Sequence, residues 1–470
     1  MEIAATYEVN TNSNDVTQHH PDYDSQLRIW QYIDDLYYGV DSWLELTNEG
    51  FKPTTKTNLY LPRHAAESFE NWVSRINASY YDDLFAKALR QFIDLSFSNG
   101  VYFAGDSDFK KHYENIDLHG SHGDVFLRQF ALSVMKYGHS FLLVDFPHVQ
   151  FDNYADFIES GARPYWLEIN PKNLINWRCR YAGDSLVFTL AVIKEEILIE
   201  SGSFGYESVN QYRVLRSGSW EVWRELGGDS QRDRKLVMIQ AGNYGNNINF
   251  VPIVPVFAGT RLGDCVSFPP LRSLAEKNRI LYQMTSDHNR KVSLCCQPVP
   301  VLKDGMRGDE PLEIGPNSFI NLRDPNGSFQ WIEPLALSLE QSRKDLDDLR
   351  QSISQDAASY LTAPSDRQSS RTTELLTIPL QSNLLGFNTS FCDGINKAIQ
   401  IHQQFLNTDD VRISLDSTIF EQKKDSQLAY AIQGLYKDGV LTRKSALEAV
   451  QALGILGPKF NLDEELDTNG

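Results

Sequence analysis

The sequence predicts an α+β fold, helical at both ends of the chain and β-rich in the middle. Three observations predict it. From Asp22 to about Gly138 the apolar residues recur with a helical period. From Arg163 to about Gly259, β-rich runs alternate with Gly, Ser and Asn turns. After Phe268-Pro269-Pro270, long helical stretches return, the first two separated by an excursion thick with Pro and Gly. The 470 residues, 41% of them apolar, suffice for about three structural units.

The elements follow in order. Residues 1–20 are polar and read as a disordered tail. "YDSQLRIWQYIDDLYYGV" sets Leu27, Trp30, Ile33 and Tyr37 near one helix face. Further helices carry Phe69, Trp72, Val73 and Ile76, then Leu84, Leu89, Phe92 and Phe97. "GDVFLRQFALSVMKYG" runs Phe126, Phe130 and Val134, and closes at Gly138 as a C′ residue. "HSFLLVDFP" reads as a buried strand. In "RPYWLEINPKNLINWR", Tyr165 to Ile169 is a strand, Asn170-Pro171 begins a turn and Leu174 to Arg178 resumes extended structure. Trp166 and Trp177 are its packing anchors. "YRVLRSGSWEVWRE" is a hairpin around Ser-Gly-Ser, and "RKLVMIQAG" and "FVPIVPVFAG" add strands.

Leu271 to about Cys295 is one unbroken helix with Pro before it and none inside. Short strands and turns occupy Gln297 to Pro334. A second helix runs from Leu337 to about Tyr360, followed by the polar loop Thr362 to Thr373. A third, Glu374 to about Leu406, contains Pro379 and is expected to kink there. "VRISLD" is a strand, and "SQLAYAIQGLYKDGVLTRKSALEAVQALG" a helical hairpin hinged at Asp438-Gly439.

Composition excludes several functions. The formal charge of −18 opposes a static grip on DNA or RNA, which exchanges a basic patch for counterions. It leaves open a surface past which DNA slides. Five cysteines without a C-x-x-C suit buried thiols in a reducing compartment. The first residues lack the charged and apolar regions of a signal peptide, and no run is long enough to span a bilayer; a soluble, intracellularly made protein is expected. Nucleotide-loop, zinc-protease and hydrolase motifs are missing.

The remaining chemical candidates have plainer readings. His119 and His122 in "HGSHG" offer two imidazoles, but the stretch reads as a turn capped by Ser121 or a glycine. His19 and His20 fall in the polar tail. Asp345, Asp347 and Asp348 scatter around one helix and read as a solvated face rather than a cation site. Cys295-Cys296 reads as simple burial. Stacking of bases on the aromatics of residues 163–178 is disfavoured by the acidic balance. No catalytic residue, metal site or cofactor is expected.

Two features resist a plain reading. Two antiparallel helix candidates joined by about forty non-helical residues make a projecting arm rather than a compact domain. Their charges also differ. Residues 271–294 hold Arg272, Lys277, Arg279, Arg290 and Lys291 against Glu276 and Asp287. Residues 338–358 hold Arg343, Lys344 and Arg350 against five acids, among them Asp345, Asp347 and Asp348. Opposite charge on neighbouring helices suits packing against further copies in a ring.

In "HPDYDSQLRIW", "YLPR" (Tyr60 to Arg63), "GDVFLRQFALSVMKYGHSFLLVDFP", "RPYWLEINPKNLINWR" and "FPPLRSLAEKNRILYQMTSDHNRKVSLCCQPVPVL", the chain resembles tailed-bacteriophage portal proteins. More narrowly, it is similar to a portal-like family of phages and prophages recorded as a domain of unknown function. The resemblance implies a portal fold: an α/β wing at 21–267 (helical to about 138, β-rich to about 260) and again at 374–420. It implies stem helices at 268–296 and 336–361, with a β-rich clip at 297–335. A tunnel loop at 362–373, a short crown-like hairpin at 421–462 and an acidic tail at 463–470 complete the expected layout.

Ser365, Arg367, Gln368, Ser369, Ser370 and Arg371 would then approach DNA, and the stem charges Arg272, Lys277, Arg279, Arg290, Lys291, Asp345, Asp347 and Asp348 would pack the ring. The resemblance further implies a non-enzymatic homo-oligomeric ring, a dodecamer, at one capsid vertex of the virion, assembled in the host cytoplasm. Double-stranded DNA would pass through it without sequence recognition. Its partners would be terminase, an adaptor or connector, the major capsid protein and a scaffold, with no membrane. The rival expectations are another ring protein of the head or tail, and an intracellular enzyme built around His119, His122 and His139.

Overall fold

A computed structural model of the chain describes residues 15–105, 109–147, 162–183, 185–227, 235–243, 249–295, 299–303, 328–332, 337–361, 370–406, 411–415 and 426–452. It is α+β, as its sequence predicts. The N-terminal part holds α1 (Pro21–Tyr38), the hairpin β1 (Leu44–Thr47) and β2 (Gly50–Pro53), α2 (Thr57–Tyr60), α3 (Phe69–Asn77), α4 (Leu84–Ser96), β3 (Val101–Ala104), α5 (Phe109–Tyr113) and α6 (Gly123–Tyr137). The hairpin and β3 depart from the expected all-helical reading up to Gly138. Gly50, at φ +112°, turns β1 into β2, and β3 acquires its partner from a strand three hundred residues away, which local periodicity cannot show.

The next part holds β4 (His139–Asp145), β5 (Tyr165–Ile169), β6 (Leu174–Ala182), β7 (Ser185–Ser201), β8 (Gly205–Arg216), β9 (Ser219–Leu226), β10 (Lys235–Asn243) and β11 (Ile253–Phe257). Strands β6 to β10 form an antiparallel meander, and β4 lies between β11 and β5 in a three-stranded sheet. Arg216 pairs with Ser219 across the expected Ser217-Gly218 turn.

Every residue of β4 is buried, because its sheet is a wall between two cores. Alternation along the strand sends Leu142 and Val144 to one core and Phe141 and Leu143 to the other. The two tryptophans of "RPYWLEINPKNLINWR" divide the same way. Trp166 on β5 is fully buried in the first core; Trp177 on β6 belongs to the second and stacks on His20, ring centres 4.1 Å apart. Strand, turn and strand are where the sequence places them, but the strands enter different sheets. The turn closes as an Asx turn, with the Lys172 amide donating to Asn170 Oδ1 at 3.0 Å.

Two local expectations are corrected here. His20 is no part of a loose tail: its amide donates to the Ile175 carbonyl at 2.8 Å and its Nδ1 accepts from the Asp22 amide at α1's N-terminus. His122, rather than Ser121 or a glycine, caps α6, its Nδ1 accepting from the Asp124 amide at 3.2 Å. In each case an imidazole nitrogen does what Ser, Thr, Asp or Asn usually does.

The C-terminal part holds α7 (Arg272–Cys295), β12 (Val299–Lys303), β13 (Ser328–Ile332), α8 (Leu337–Leu361), α9 (Ser370–Leu406), β14 (Arg412–Leu415), α10 (Ser426–Lys437) and α11 (Arg443–Ala452). Strand β14 pairs with β3, joining the C-terminal part to the N-terminal part. On α9, Leu380, Leu384, Phe387, Phe391, Ile395, Ala398 and His402 form a buried stripe at three- and four-residue spacing. The helix is continuous through Pro379. Gly439, at φ +74°, turns α10 toward α11.

Candidate functional site: an antiparallel arm and its root

Helices α7 and α8 pack antiparallel, and the strands beyond them continue the pairing. Lys277 Nζ donates to Asp356 at 2.6 Å and Ser352 at 2.8 Å; farther out, His288 Nδ1 lies 3.2 Å from Ser342 Oγ. Beyond the helices, Val299 pairs with Ile332 and Lys303 with Ser328. These pairs are nested about one sequence midpoint, so helices and strands make a single arm. At ~1.5 Å per helical residue α7 is on the order of 36 Å long, and at ~3.4 Å per strand residue the β12–β13 ladder is about 17 Å long.

Among the described side chains of the arm, the buried apolar ones lie along its inner seam and near its root. Leu274, Leu281, Leu346 and Ile353 are buried, with Met284 and Leu349 packed beside them. Farther out, Asn289, Lys291, Val292 and Ser293 are exposed, as are Gln341, Arg343, Lys344 and Asp345. On the strands, Lys303, Ser328, Gln330 and Trp331 are exposed. Residues 304–327, most of the expected clip, lie outside the described residues.

A polar clamp holds α7 to the body. Arg75 on α3 donates through Nε and Nη2 to both carboxylate oxygens of Glu67, each at 2.9 Å, and through Nη1 to Ser286 on α7 at 3.2 Å. Arg290 donates to the same carboxylate. Neither the Arg75 nor the Glu67 side chain is more than 4% exposed. The hydrogen bonds from Arg75, helped by the His64 amide and by Arg290, hold the Glu67 carboxyl down at about 2 against its burial. His64 Nε2 also lies 3.1 Å from Asp287 on α7.

Lower down, the chain enters α7 through a backbone junction. The amides of Ala258 and Gly259 donate to the Gly138 carbonyl at 2.7 and 3.0 Å. A Cβ on Gly138 would lie 2.5 Å from the Phe268 carbonyl oxygen, and one on Gly259 1.9 Å from it. Two glycines therefore admit the segment that leads into the arm. A second ionic cluster braces α1, α6 and the 170–173 turn: Asp34 accepts from Lys136 at 2.9 Å, from Tyr137 at 2.5 Å and from Lys172. Burial disfavours the Asp34 carboxylate, but these donors hold its pKa below the usual value.

The expected stem charges fall into two groups. Lys277 pairs with Asp356, Arg279 with Glu276 and the Tyr32 hydroxyl, and Arg290 with Glu67, all within the chain. Arg272 lies over the Phe268 ring. On the outer part of the arm, Lys291 is exposed, as are Asp345, Asp347 and Asp348; Asp345 accepts from Gln341 and Asp347 faces Arg350 at 3.5 Å.

Of the expected tunnel loop, Ser365, Arg367, Gln368 and Ser369 lie outside the described residues. Ser370 and Arg371 belong to α9, which begins earlier than expected because no Pro or Gly separates Ser369 from Ile378 to stop a helix. Their side chains and those of Cys295 and Cys296 also lie outside the description.

The histidines of the enzyme expectation do separate things. His119 Nδ1 lies 2.9 Å from the Asp117 carbonyl, His122 is a helix cap, and His139 is fully buried beside Ser267. Among the described residues no group of three His, Cys, Asp or Glu is arranged to hold a metal ion, and no helix is long and apolar enough to cross a membrane. The clamp of Glu67, Arg75 and Arg290 carries no motif in the sequence; its one local signal is an Arg and a Glu eight residues apart around a helix start.

Residues 270–406, from the entry to α7 to the end of α9, match a family model described as a domain of unknown function, DUF4055. No curated protein matches the chain. Solved structures similar to it include a chain from the neck of a native GTA particle computed with C12 symmetry, 8% identical, TM-score 0.41, covering 80% of this chain and 92% of that one. Another is from the neck of an empty GTA particle computed with C6 symmetry, 9% identical, TM-score 0.40, covering 83% and 96%. A third is from the virion of a native gene transfer agent particle, 7% identical, TM-score 0.40, covering 81% and 92%.

Proposed function

We propose that this chain is the subunit of a portal ring, the conduit through which a tailed phage packages and ejects its DNA. The observation that carries the reading is the arm: two antiparallel helices continued by a two-stranded ladder, clamped to an α+β body at one end and exposed along its outer part. A single copy leaves that outer part without a core. Arranged around an axis, copies of the arm would enclose a channel, the exposed Lys291 of one facing Asp345, Asp347 or Asp348 of the next. The charge of −18 per chain suits passage rather than retention, since many basic contacts would hold the duplex by counterion release.

In this reading the subunit is non-enzymatic, and the motor that drives the DNA is another protein. The far end of the arm is the docking place for terminase and then for the adaptor, while Arg367 and Arg371, at the passage from α8 to α9, supply a sparse ring of positive charge to the DNA. Electron microscopy of the purified full-length protein tests the reading. Rings with a central channel and the β12–β13 end at one rim support it; compact monomers at high protein concentration overturn it. With Arg367 and Arg371 both changed to Ala, rings should still form while DNA packaging or retention fails. Normal packaging in that variant would remove the loop from the mechanism.

A further inference from the structure

Cys179 and Cys265 lie far apart in the sequence, and their sulfurs are 3.4 Å apart. Cys179 is half-buried on β6, next to a register shift in the β6–β7 ladder between Arg178 and Cys179. Cys265 is fully buried in a small turn, where the amides of Leu262 and Gly263 donate to the Val266 carbonyl and Arg261 pairs with Ser267. Tyr181 and Asp264, 3.5 Å apart at their oxygens, bring the same two segments together. Three residues beyond Cys265, the chain reaches Phe268 and the Gly138–Gly259 junction that leads into α7.

We propose that Cys179 and Cys265 form an oxidation-driven disulfide that fastens the five-stranded sheet to the root of the arm. The two sulfurs are in contact across separate elements, and one of them can be reached from solvent. The oxidant is a peroxide. Hydrogen peroxide takes Cys179 to a sulfenic acid and releases one water. The Cys265 sulfur then attacks the Cys179 sulfur, so that an S–S bond forms, the S–O bond breaks and a second water leaves with the Cys265 proton. The two sulfurs together give up two electrons, and the peroxide accepts them.

Oxidation begins at Cys179 because Cys265 is inaccessible. The hydrogen-bonded contact with Cys179, then burial, push the Cys265 thiol far above its usual range, with Asp264 and Asp22 adding to the effect. Both sulfurs sit against the second core, so the bond joins two side chains already in contact. Its timing rests on the portal reading: a subunit folded in a reducing cytosol would keep both thiols, and a released particle in oxidising surroundings would close them. The closed bond would fix the arm's root after assembly is complete.

The experiment uses the purified full-length chain, treated with hydrogen peroxide, alkylated and mapped without reduction. Cleavage after Glu is the suitable digestion, since Cys179 lies between two arginines. The expected product is a linked pair of peptides containing Cys179 and Cys265, about 2 Da lighter than the two thiols together. The oxidised protein should also melt at a higher temperature than the dithiothreitol-treated protein. Cys179→Ser, a change at a half-buried position, should abolish the link and the melting shift. Over-oxidation of Cys179 to the sulfinic acid while Cys265 stays a thiol in folded wild-type protein would overturn the proposal. Failure to form rings would overturn the portal reading alone and leave the disulfide result standing.

Discussion

Glu67, before the first turn of α3, and Arg290, late in α7, meet in an ion pair that ties the body to the arm. Arg75 completes it from the other side with two bonds to the same carboxylate. Removing Glu67 strips the buried Arg75 of both bonds to its nearest carboxylate and leaves Asp287, 3.8 Å away, as its remaining counter-charge. Glu67→Ala should cost about 3–5 kcal/mol in unfolding stability, the range for breaking a buried pair from one side. Chemical denaturation reads it, and a loss below about 1 kcal/mol would show that the clamp is solvated. The sign with pH follows from the depressed carboxyl. Glu67 contributes stability above the unfolded value near 4.5, and the contribution fades as pH falls toward about 2. Glu67→Gln should flatten that acid limb.

His402 on α9 contacts His112 on α5, ring nitrogens 3.0 Å apart, and is fully buried against Phe109 and Trp166. Burial first, then the nearby His112 and Arg163, lower its pKa to about 3. Its neutral form is therefore favoured on folding. The associated stability is complete above the unfolded value of 6.5 and declines as pH falls from there toward 3, by about 1.4 kcal/mol per pH unit. His402→Gln should remove that share of the slope between pH 6 and 4 in thermal or urea unfolding. An unchanged slope would mean that the imidazole protonates in the folded state at ordinary pH.

How much of this was legible in the sequence depends on the range of the interactions. The arm's two helices were legible because each carries its own apolar stripe, Leu274–Leu281–Met284 and Leu339–Leu346–Leu349–Ile353, and because the residues between are rich in Pro and Gly. The anchors Trp166 and Trp177 were legible as large side chains in alternating strands. That they serve opposite cores was not, since it depends on which sheet each strand joins. The β1–β2 hairpin was hidden inside a helical-looking stretch. The clamp was invisible because Glu67, Arg75, Ser286 and Arg290 meet only after the body has folded. Opposite net charge on α7 and α8 was visible, yet Lys277, Arg279 and Arg290 turn out to pair within their own chain.

The Lys277–Asp356 pair shows how strongly the arm's two helices depend on such contacts. Both side chains are about one-third exposed, and Lys277 also donates to Ser352. A double-mutant cycle with Lys277→Ala and Asp356→Ala should give a coupling of only about 0.5–1 kcal/mol, smaller at high salt. Most of the pairing would then come from the apolar seam, and Ile353→Ala should cost more, about 2–5 kcal/mol. A coupling above about 3 kcal/mol would reverse that ranking and make the arm an electrostatic assembly.

Gly138 is the position where the arm's root leaves least room for change. It ends α6 in the left-handed region at φ +84°, and its carbonyl receives the amides of Ala258 and Gly259. A side chain there meets two obstacles at once. The backbone angle disfavours any L residue by about 1–2 kcal/mol, and the added Cβ would stand 2.5 Å from the Phe268 carbonyl oxygen, a main-chain atom that no rotamer change can move aside. Relieving the clash shifts the segment that enters α7. Gly138→Ala should therefore destabilise the protein by more than the backbone cost alone, about 2–4 kcal/mol. Gly183→Ala supplies the control: it has φ +62° and open space around its Cβ, so it bears the backbone cost without the clash. Equal losses in the two variants, measured by urea unfolding, would show that the Phe268 segment yields freely and that the junction does not fix the arm.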